Sequence, residues 1–520
     1  MLAGRFCCIL HSLLRSDSRR QRNSPTFQTV GANVSKLPLG VLSGFKKSVG
    51  ALPYNQRSPA RRRIYGHRKL PARAGICHYH PTATLTSDTA THLRLAHLLA
   101  GDLAFQSPVR EAHPLYALHP FAARFPHGLA DHFISGLTQP GGTVLDPMCG
   151  SGITLLEGWL AGRSVVGVDL DPLARRQSAA RTTVLDPHAV RDAGHATIRR
   201  AADLYAGIGD PADPLAAVRD GMDAATQQFL DYWFFPETQQ ELAALILAIR
   251  AEPDADLRNL LEVIFSSTIV TKSGGVSRAR DLAHTRPHRV ADKTPRRPIR
   301  VFANLVGRAA DAYTAINPDM VGESRIVAGD ARVLPLPDDS VNLIVTSPPY
   351  ANALDYMRAH KFSLAWLGDP IPSLTDLRAQ YIGSESAGNR ARQYVPAELP
   401  APVQTVVDQL AIKDAPKSRV LRRYFVDMQA AIGEMARVLR PGAAAVIVVG
   451  PSVMRGIMIP THQCLAAIAA AVGLDVVAVA PRNLDRDRRM MPARRGNQAE
   501  TASGIELRQY TEYVIGAVKL

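Results

Sequence analysis

Thr143-Val144-Leu145-Asp146-Pro147-Met148-Cys149-Gly150-Ser151-Gly152-Ile153-Thr154-Leu155-Leu156-Glu157 is the stretch that decides the fold. It begins as an apolar strand, turns through proline and glycine, and continues as an apolar helix. Gly150 and Gly152 let a backbone pass close to a ligand with no Cβ in the way. A second apolar strand, Ser164 to Asp169, follows and ends in an acid. Strand, glycine turn, helix and strand-end acid, in that order, predict an open α/β sheet with its ligand at the strands' carboxyl ends.

The bland readings are a dinucleotide fold or a glycine turn that holds nothing. A dinucleotide fingerprint needs a third glycine three residues after the second, and Leu155 stands there. Asp146 and Pro147 precede the turn, and a carboxylate at that point would repel a phosphate. The acid suits a ligand carrying an ammonium group, such as the methionine end of S-adenosyl-L-methionine. Asp169 is then placed to accept hydrogen bonds from ribose hydroxyls, with Asp171 as a second candidate. Further along, Arg325 to Ala328 reads as a short strand ending in Gly329-Asp330, and Asp330 is a candidate partner for the ligand's adenine amino group.

Directly after this comes the apolar run Val341 to Thr346, a buried parallel strand, and then Ser347-Pro348-Pro349-Tyr350. Two prolines stop the ladder abruptly. They leave the Ser347 hydroxyl and the Pro348 carbonyl as rigid acceptors at a strand end, and Tyr350 as a ring on which a base can stack. Alone, the four residues are an ordinary turn. Paired with the glycine turn upstream, they are candidate catalytic residues.

Together these residues resemble the S-adenosyl-L-methionine-dependent DNA methyltransferases that modify exocyclic amino groups, the N4-cytosine and N6-adenine family. Asp146 to Gly152 looks like that family's cofactor loop, with Met148 where phenylalanine is usual. Ser347 to Tyr350 looks like its catalytic motif, in which serine at the first position is typical of N4-cytosine enzymes. Arg124-Phe125-Pro126 resembles the segment that closes over the methionine moiety. The resemblance implies a class I methyltransferase-like fold, α/β, with a doubly wound, mostly parallel sheet and a helical insert. It implies catalytic roles for Ser347, Pro348, Pro349 and Tyr350, and cofactor-binding roles for Phe125, Asp146, Pro147, Cys149, Gly150, Gly152, Asp169 and Asp330. It also implies DNA as partner, with RNA as the alternative, and a restriction-modification setting. Cys149 lies inside the cofactor turn, far in sequence from the substrate loop, and reads as structural rather than as a nucleophile.

The predicted chemistry is positioning. Two acceptors hold the N–H groups of an exocyclic amine and turn its lone pair towards a sulfonium methyl group. A base in a duplex must be flipped out to reach such a site. The expected activity is methylation of cytosine N4 in DNA. The alternatives are adenine N6 in DNA, an RNA base amino group, or a non-catalytic nucleic-acid-binding protein of the same fold.

The chain has 520 residues and a net charge of +15. Residues 1–87 hold fifteen Lys/Arg and one acid, Asp17, so nearly all the excess charge belongs to a basic arm. The arm reads as disordered. It fits a nucleic-acid tether, an organellar transit peptide or an extension from an upstream start codon. Residues 88–180 and 320–520 form the expected methyltransferase domain. Residues 181–319 are a mainly helical insert for possible target recognition. Within it, nine Lys/Arg between Thr271 and Arg300 stand against two acids, and Gly274-Gly275 suggest a flexible basic loop, read as a phosphate-contacting segment with a solvated loop as the bland alternative. The aromatic run Asp231-Tyr232-Trp233-Phe234-Phe235-Pro236 reads as core. Five cysteines without a Cys-x-x-Cys pair give neither disulfides nor a structural metal site. Cys77-His78-Tyr79-His80 reads as a polar stretch rather than a metal site. No apolar run reaches membrane-spanning length. A cytoplasmic, nucleoid-associated protein is expected, with organellar targeting by the arm kept open. The sequence carries no signal of oligomeric state.

Overall fold

The computed structural model describes residues 87–105, 113–120, 126–207, 213–271, 275–280, 282, 287–351, 355–384, 398–483 and 511–520. Nearly all of the basic arm, including Cys77 to His80, and Phe125 lie outside the described residues.

Nine strands are present among these residues: β1 Thr143–Asp146, β2 Ser164–Asp169, β3 Ser324–Ala328, β4 Val341–Thr346, β5 Leu439–Val449, β6 Ser452–Met454, β7 Ile457–Ile459, β8 Leu474–Asn483 and β9 Thr511–Lys519. Seven of them form one sheet in the order β3-β2-β1-β4-β5-β9-β8, and β6 and β7 make a separate hairpin. All neighbours in the large sheet run parallel except β9, which is antiparallel to both β5 and β8. This is the expected doubly wound, mostly parallel sheet.

Successive residues of β5 alternate between two apolar layers. Ala444, Val446 and Val448 join one cluster, and Ala445, Ile447 and Val449 join the other. Both faces are covered, as parallel sheets require. The Ala415–Val438 and Thr461–Ala471 helices cover one face, and the His127–Leu137 and Ile153–Leu160 helices cover the other.

The chain winds outward from β1 through β2 to β3, then crosses back to place β4 against β1. Leu145 pairs with Ile344 across that seam. The strand order therefore reverses between β1 and β4, where such sheets open a crevice at their carboxyl ends. The glycine turn and the Pro-Pro turn leave these two neighbouring strands.

The described residues between 187 and 313 add six helices: Pro187–Ala206, Pro214–Arg219, Ala224–Trp233, Pro236–Arg250, Ala255–Ile269 and Pro298–Tyr313. Asp-Pro pairs start two of them: Asp186 and Asp213 cap the first turn while proline takes its first position. The apolar residues of these helices share one cluster with Val144, Val165 and Leu343 of the sheet. Ser266 donates to Ser363 Oγ at 2.8 Å and bonds the His119 ring at 2.9 Å, so the insert is tied to the Met357–Leu367 helix that follows the Pro-Pro turn.

The helix before β5 runs Ala415–Val438, and Asp414 caps it at Lys417 N (2.9 Å). Arg440-Pro441-Gly442 lies inside β5, where a register shift against β4 absorbs the proline and Gly442 takes φ 74°.

Candidate active site

One cavity of about 320 Å³ opens at the β1–β4 seam. Asp146, Pro147, Cys149 and Gly150 line it from the first turn, Asp169 from the end of β2, Asp330 from the end of β3, and Ser347 and Pro349 from the end of β4. Residues far apart in sequence are thus gathered at one crevice by the strand order.

The glycine turn is fitted closely. Gly150 and Gly152 have φ of 50° and 75°. A Cβ on Gly152 would stand 2.7 Å from Ser178 Oγ, so only glycine fits both the angle and the space. Gly152 stabilises the turn from beneath and does not itself line the cavity. Cys149 N donates to Val168 O at 3.1 Å, and the Cys149 side chain is buried next to Ser178. Burial pushes its thiol pKa well up, with the Asp169 and Asp146 charges acting the same way. A thiol held neutral in this manner is a poor nucleophile, in line with a structural role.

Asp146 is 3% exposed. Thr346 donates to its Oδ1 at 2.7 Å, and Met148 N does so at 3.2 Å. Burial raises its pKa to about 7, against the lowering effect of those two bonds. None of the groups acting most strongly on it is a cation. A buried acid in that condition is matched by a ligand that brings its own positive charge. Thr154 Oγ1 donates to Val345 O at 3.1 Å, a second stitch between the cofactor-loop helix and β4.

Asp169 accepts from Gly150 N and from Asp171 N, both at 2.8 Å. Its pKa rises to about 6, first by burial and then through the Asp171 charge. Asp171 is differently engaged. One oxygen caps the Pro172–Arg181 helix at Leu173 N (2.8 Å), and the other meets His360 Nδ1 at 2.6 Å. Asp171, which also lines the cavity, is thus a helix cap and a tether for the Met357–Leu367 helix. Asp330 lines the cavity, yet both its oxygens take hydrogen bonds from Arg332, at 2.9 Å from Nε to Oδ1 and 2.6 Å from Nη2 to Oδ2. Arg332 in turn donates to Asp427 at 2.7 Å.

Of the four Pro-Pro turn residues, Ser347 and Pro349 line the cavity, and Pro348 and Tyr350 do not. Tyr424 donates to Pro349 O at 2.9 Å and fixes the turn from behind. Tyr350 packs against Gly450 and donates its hydroxyl to Glu512 at 2.6 Å. Glu512 also pairs with Arg482, whose Nε donates to Leu103 O at 3.0 Å. The expected stacking ring is therefore bound to the β8–β9 side of the sheet. Tyr356 and Tyr381 are the tyrosines that do line the cavity, joined by Asp355, Arg358 and Arg378. Asp355 Oδ2 is held by Arg378 at 2.5 Å and by Arg358 at 2.9 Å.

Sequence reading missed Thr346, Arg378 and Tyr381. Thr346 looked like one more residue of a buried strand, and only the β1–β4 pairing sets it against Asp146. Arg378 and Tyr381 come from the Ile371–Gln380 helix and its end, where no motif marks them. Among the described residues, no group of three or more His, Cys, Asp or Glu could hold a metal ion, and no helix is long and apolar enough to cross a membrane.

Residues 101–180, which contain the glycine turn and Asp169, match the family model of N6/N4 methyltransferases, described as DNA methylase. The type II methyltransferase M.MvaI of Kocuria varians is 25% identical over 337 residues, 61% of this chain and 72% of that protein. Among solved structures, a TehB-like S-adenosyl-L-methionine-dependent methyltransferase from Corynebacterium glutamicum aligns with 75% of this chain and 87% of its own, at 12% identity and a TM-score of 0.24. A Thermus thermophilus protein complexed with S-adenosyl-L-methionine aligns with 37% of this chain and 53% of its own, at 20% identity and a TM-score of 0.19. Scores this low carry no argument, and the fold rests on strand order and register. The chain is thus similar to DNA methylases over its glycine turn and to a type II methyltransferase over a longer stretch.

Proposed function

We propose that the protein is an S-adenosyl-L-methionine-dependent methyltransferase that modifies an exocyclic amino group of a DNA base, with cytosine N4 as the target. The observation that carries this reading is the single cavity lined by Asp146, Asp169 and Ser347. The residues fit the cofactor. Asp146 is a buried acid matched by an ammonium group, Asp169 stands at a strand end as a partner for ribose hydroxyls, and the glycine turn leaves room for close approach. Asp330, Pro147 and Cys149 would wall the same pocket, with the Asp330 carboxylate oriented by Arg332. When bound, the cofactor supplies an electrophilic methyl group on a cationic sulfur.

The chain's own contribution is to orient the amine. An exocyclic amino nitrogen is weakly nucleophilic because its lone pair is delocalised into the ring. Ser347 would accept one of its N–H bonds and favour tetrahedral nitrogen, and the rigid Pro-Pro turn would hold that acceptor still. The amine becomes cationic as it is methylated and loses its proton readily, so no strong base is required. Tyr350 is tied to Glu512, which favours a role in fixing the turn over stacking on the base. Serine at the first motif position supports cytosine N4 over adenine N6.

The test is to incubate the protein with duplex DNA and methyl-labelled S-adenosyl-L-methionine, digest to nucleosides and separate them. Label in N4-methyldeoxycytidine is expected. Label in N6-methyldeoxyadenosine would move the target to adenine, and label at a ring carbon would defeat the reading.

A further inference from the structure

The described part of residues 275–300 carries six arginines and Lys293 against one acid, Asp292. A solvated loop is the ordinary outcome for such a run, and like charges at this density repel one another. Here the run is held still. Ala279 and Arg289 form an antiparallel bridge, with Arg280 N donating to His288 O at 2.9 Å and Val290 N to Arg278 O at 3.0 Å. Arg278 N donates to Trp233 O at 2.7 Å. The Arg278 guanidinium lies 4.4 Å from the centre of the Phe235 ring, and that of Arg289 lies 4.5 Å from the centre of the Tyr232 ring. Tyr232 is 48% exposed and the Arg289 stacked on it is exposed, as is Arg280, while Arg278 is half-buried against Phe235.

The same aromatic run grips the interior. Trp233 and Phe234 meet Phe362 at ring distances of 4.9 and 6.3 Å, and Phe234 meets Trp366 at 5.7 Å. Phe362 and Trp366 belong to the Met357–Leu367 helix, which leaves the Ser347–Tyr350 turn. One aromatic segment thus holds surface arginines on one side and the helix of the reactive turn on the other. Nearby, Arg296 and Arg300 line an open cleft with Asn304 at the start of the Pro298–Tyr313 helix.

We propose that this arginine hairpin, continued by Arg296 and Arg300, is a contact surface for the phosphodiester backbone of duplex DNA, held in register with the reactive turn by the Tyr232–Phe235 run. A guanidinium stacked on a ring keeps its N–H edge outward and loses little freedom on meeting a phosphate. Backbone contacts fix the position of a protein on DNA without reading its sequence. The choice of DNA rests on the proposed function, whereas backbone binding itself does not depend on methyl transfer.

The experiment is fluorescence anisotropy of the full chain on a short labelled DNA duplex, without cofactor, across a salt series. It compares the wild type with the Arg278→Gln/Arg280→Gln/Arg289→Gln variant. Each lost phosphate contact lowers the slope of log affinity against log salt by about 0.9, so three should lower it by about 2.7, about 40-fold in the affinity ratio between about 50 and 200 mM salt. The corresponding triple lysine variant should keep most of the slope, and the KM for DNA should rise more than kcat falls. The Arg296→Gln/Arg300→Gln variant lies outside the hairpin and should lower the slope by about 1.8 if the triple variant misfolds. Unchanged slopes in natively melting variants would overturn the proposal, as would slope changes seen only on an RNA duplex. A changed slope in a protein that methylates no base would leave the surface standing and remove the proposed reaction. Methylation with unchanged slopes would do the reverse.

Discussion

Replacing Thr346 with valine tests how the site holds its cofactor. The two side chains are nearly isosteric, so the change removes one hydrogen bond, the 2.7 Å contact to Asp146 Oδ1, and leaves Met148 N at 3.2 Å. A hydrogen bond to a charged group contributes about 1.5–3 kcal/mol. At about 1.4 kcal/mol per pKa unit, its loss should raise the Asp146 pKa by about one to two units. The starting value is about 7, so the variant should titrate near 8 to 9. The ionised carboxylate is the form that attracts an ammonium group, so affinity should rise with pH through the titration and level off above it. At pH 7.5 the variant should bind S-adenosyl-L-methionine about 3- to 25-fold more weakly, from the ratio of ionised fractions. The ratio should grow as pH falls and close as pH rises past about 9. The ligand's own amine titrates identically for both proteins and cancels from the ratio. Isothermal titration calorimetry at several pH values measures it. Equal affinities at pH 6.5 and 7.5, with native melting, would refute the pairing of Asp146 with the cofactor's charge.

Ser347→Ala should lower single-turnover methyl transfer by about 100-fold while leaving cofactor affinity close to wild type, as for the loss of one positioned hydrogen-bonding group. Asp169→Asn should act first on binding, with a higher cofactor Kd and a near-normal rate at saturation. Gly152→Ala should lower Tm and abolish cofactor binding, since it costs about 1–2 kcal/mol for the left-handed backbone alone and its Cβ meets Ser178 at 2.7 Å. Adding Ser178→Gly should relieve the side-chain part of the collision but neither the 3.1 Å approach to the residue 178 Cα nor the backbone term. Cys149→Ala should retain methyl transfer, and abolition of transfer with cofactor binding intact would point to a covalent role for the thiol.

The sheet was legible because its strands carry strong local signals. Val144-Leu145 and Leu343 to Val345 are apolar runs, and Asp146-Pro147 and Pro348-Pro349 end their strands at definite places. The cavity followed from those strand ends once β1 and β4 were taken as neighbours. What escaped the sequence was side-chain partnership across long separations. Asp330 lines the cavity as expected, but its pairing with Arg332, two residues on, carries no signal in the sequence. Tyr350 looked like a stacking platform, but Glu512, 162 residues away, draws its hydroxyl aside. The contact of Asp171 with His360, 189 residues away, has no local signal either. The basic stretch after Thr271 read as loose because Gly274-Gly275 are visible locally, whereas the Phe235 and Tyr232 rings that pin its arginines are not.

The most direct test is to watch the new bond itself. Duplex DNA carrying nitrogen-15 at cytosine N4 is incubated with the protein and S-adenosyl-L-methionine bearing a carbon-13 methyl group, and the product is read by NMR. A one-bond carbon–nitrogen coupling on the transferred methyl group is the result expected from a site built around Asp146, Asp169 and Ser347. A methyl signal on DNA with no such coupling, or none on DNA at all, would contradict it.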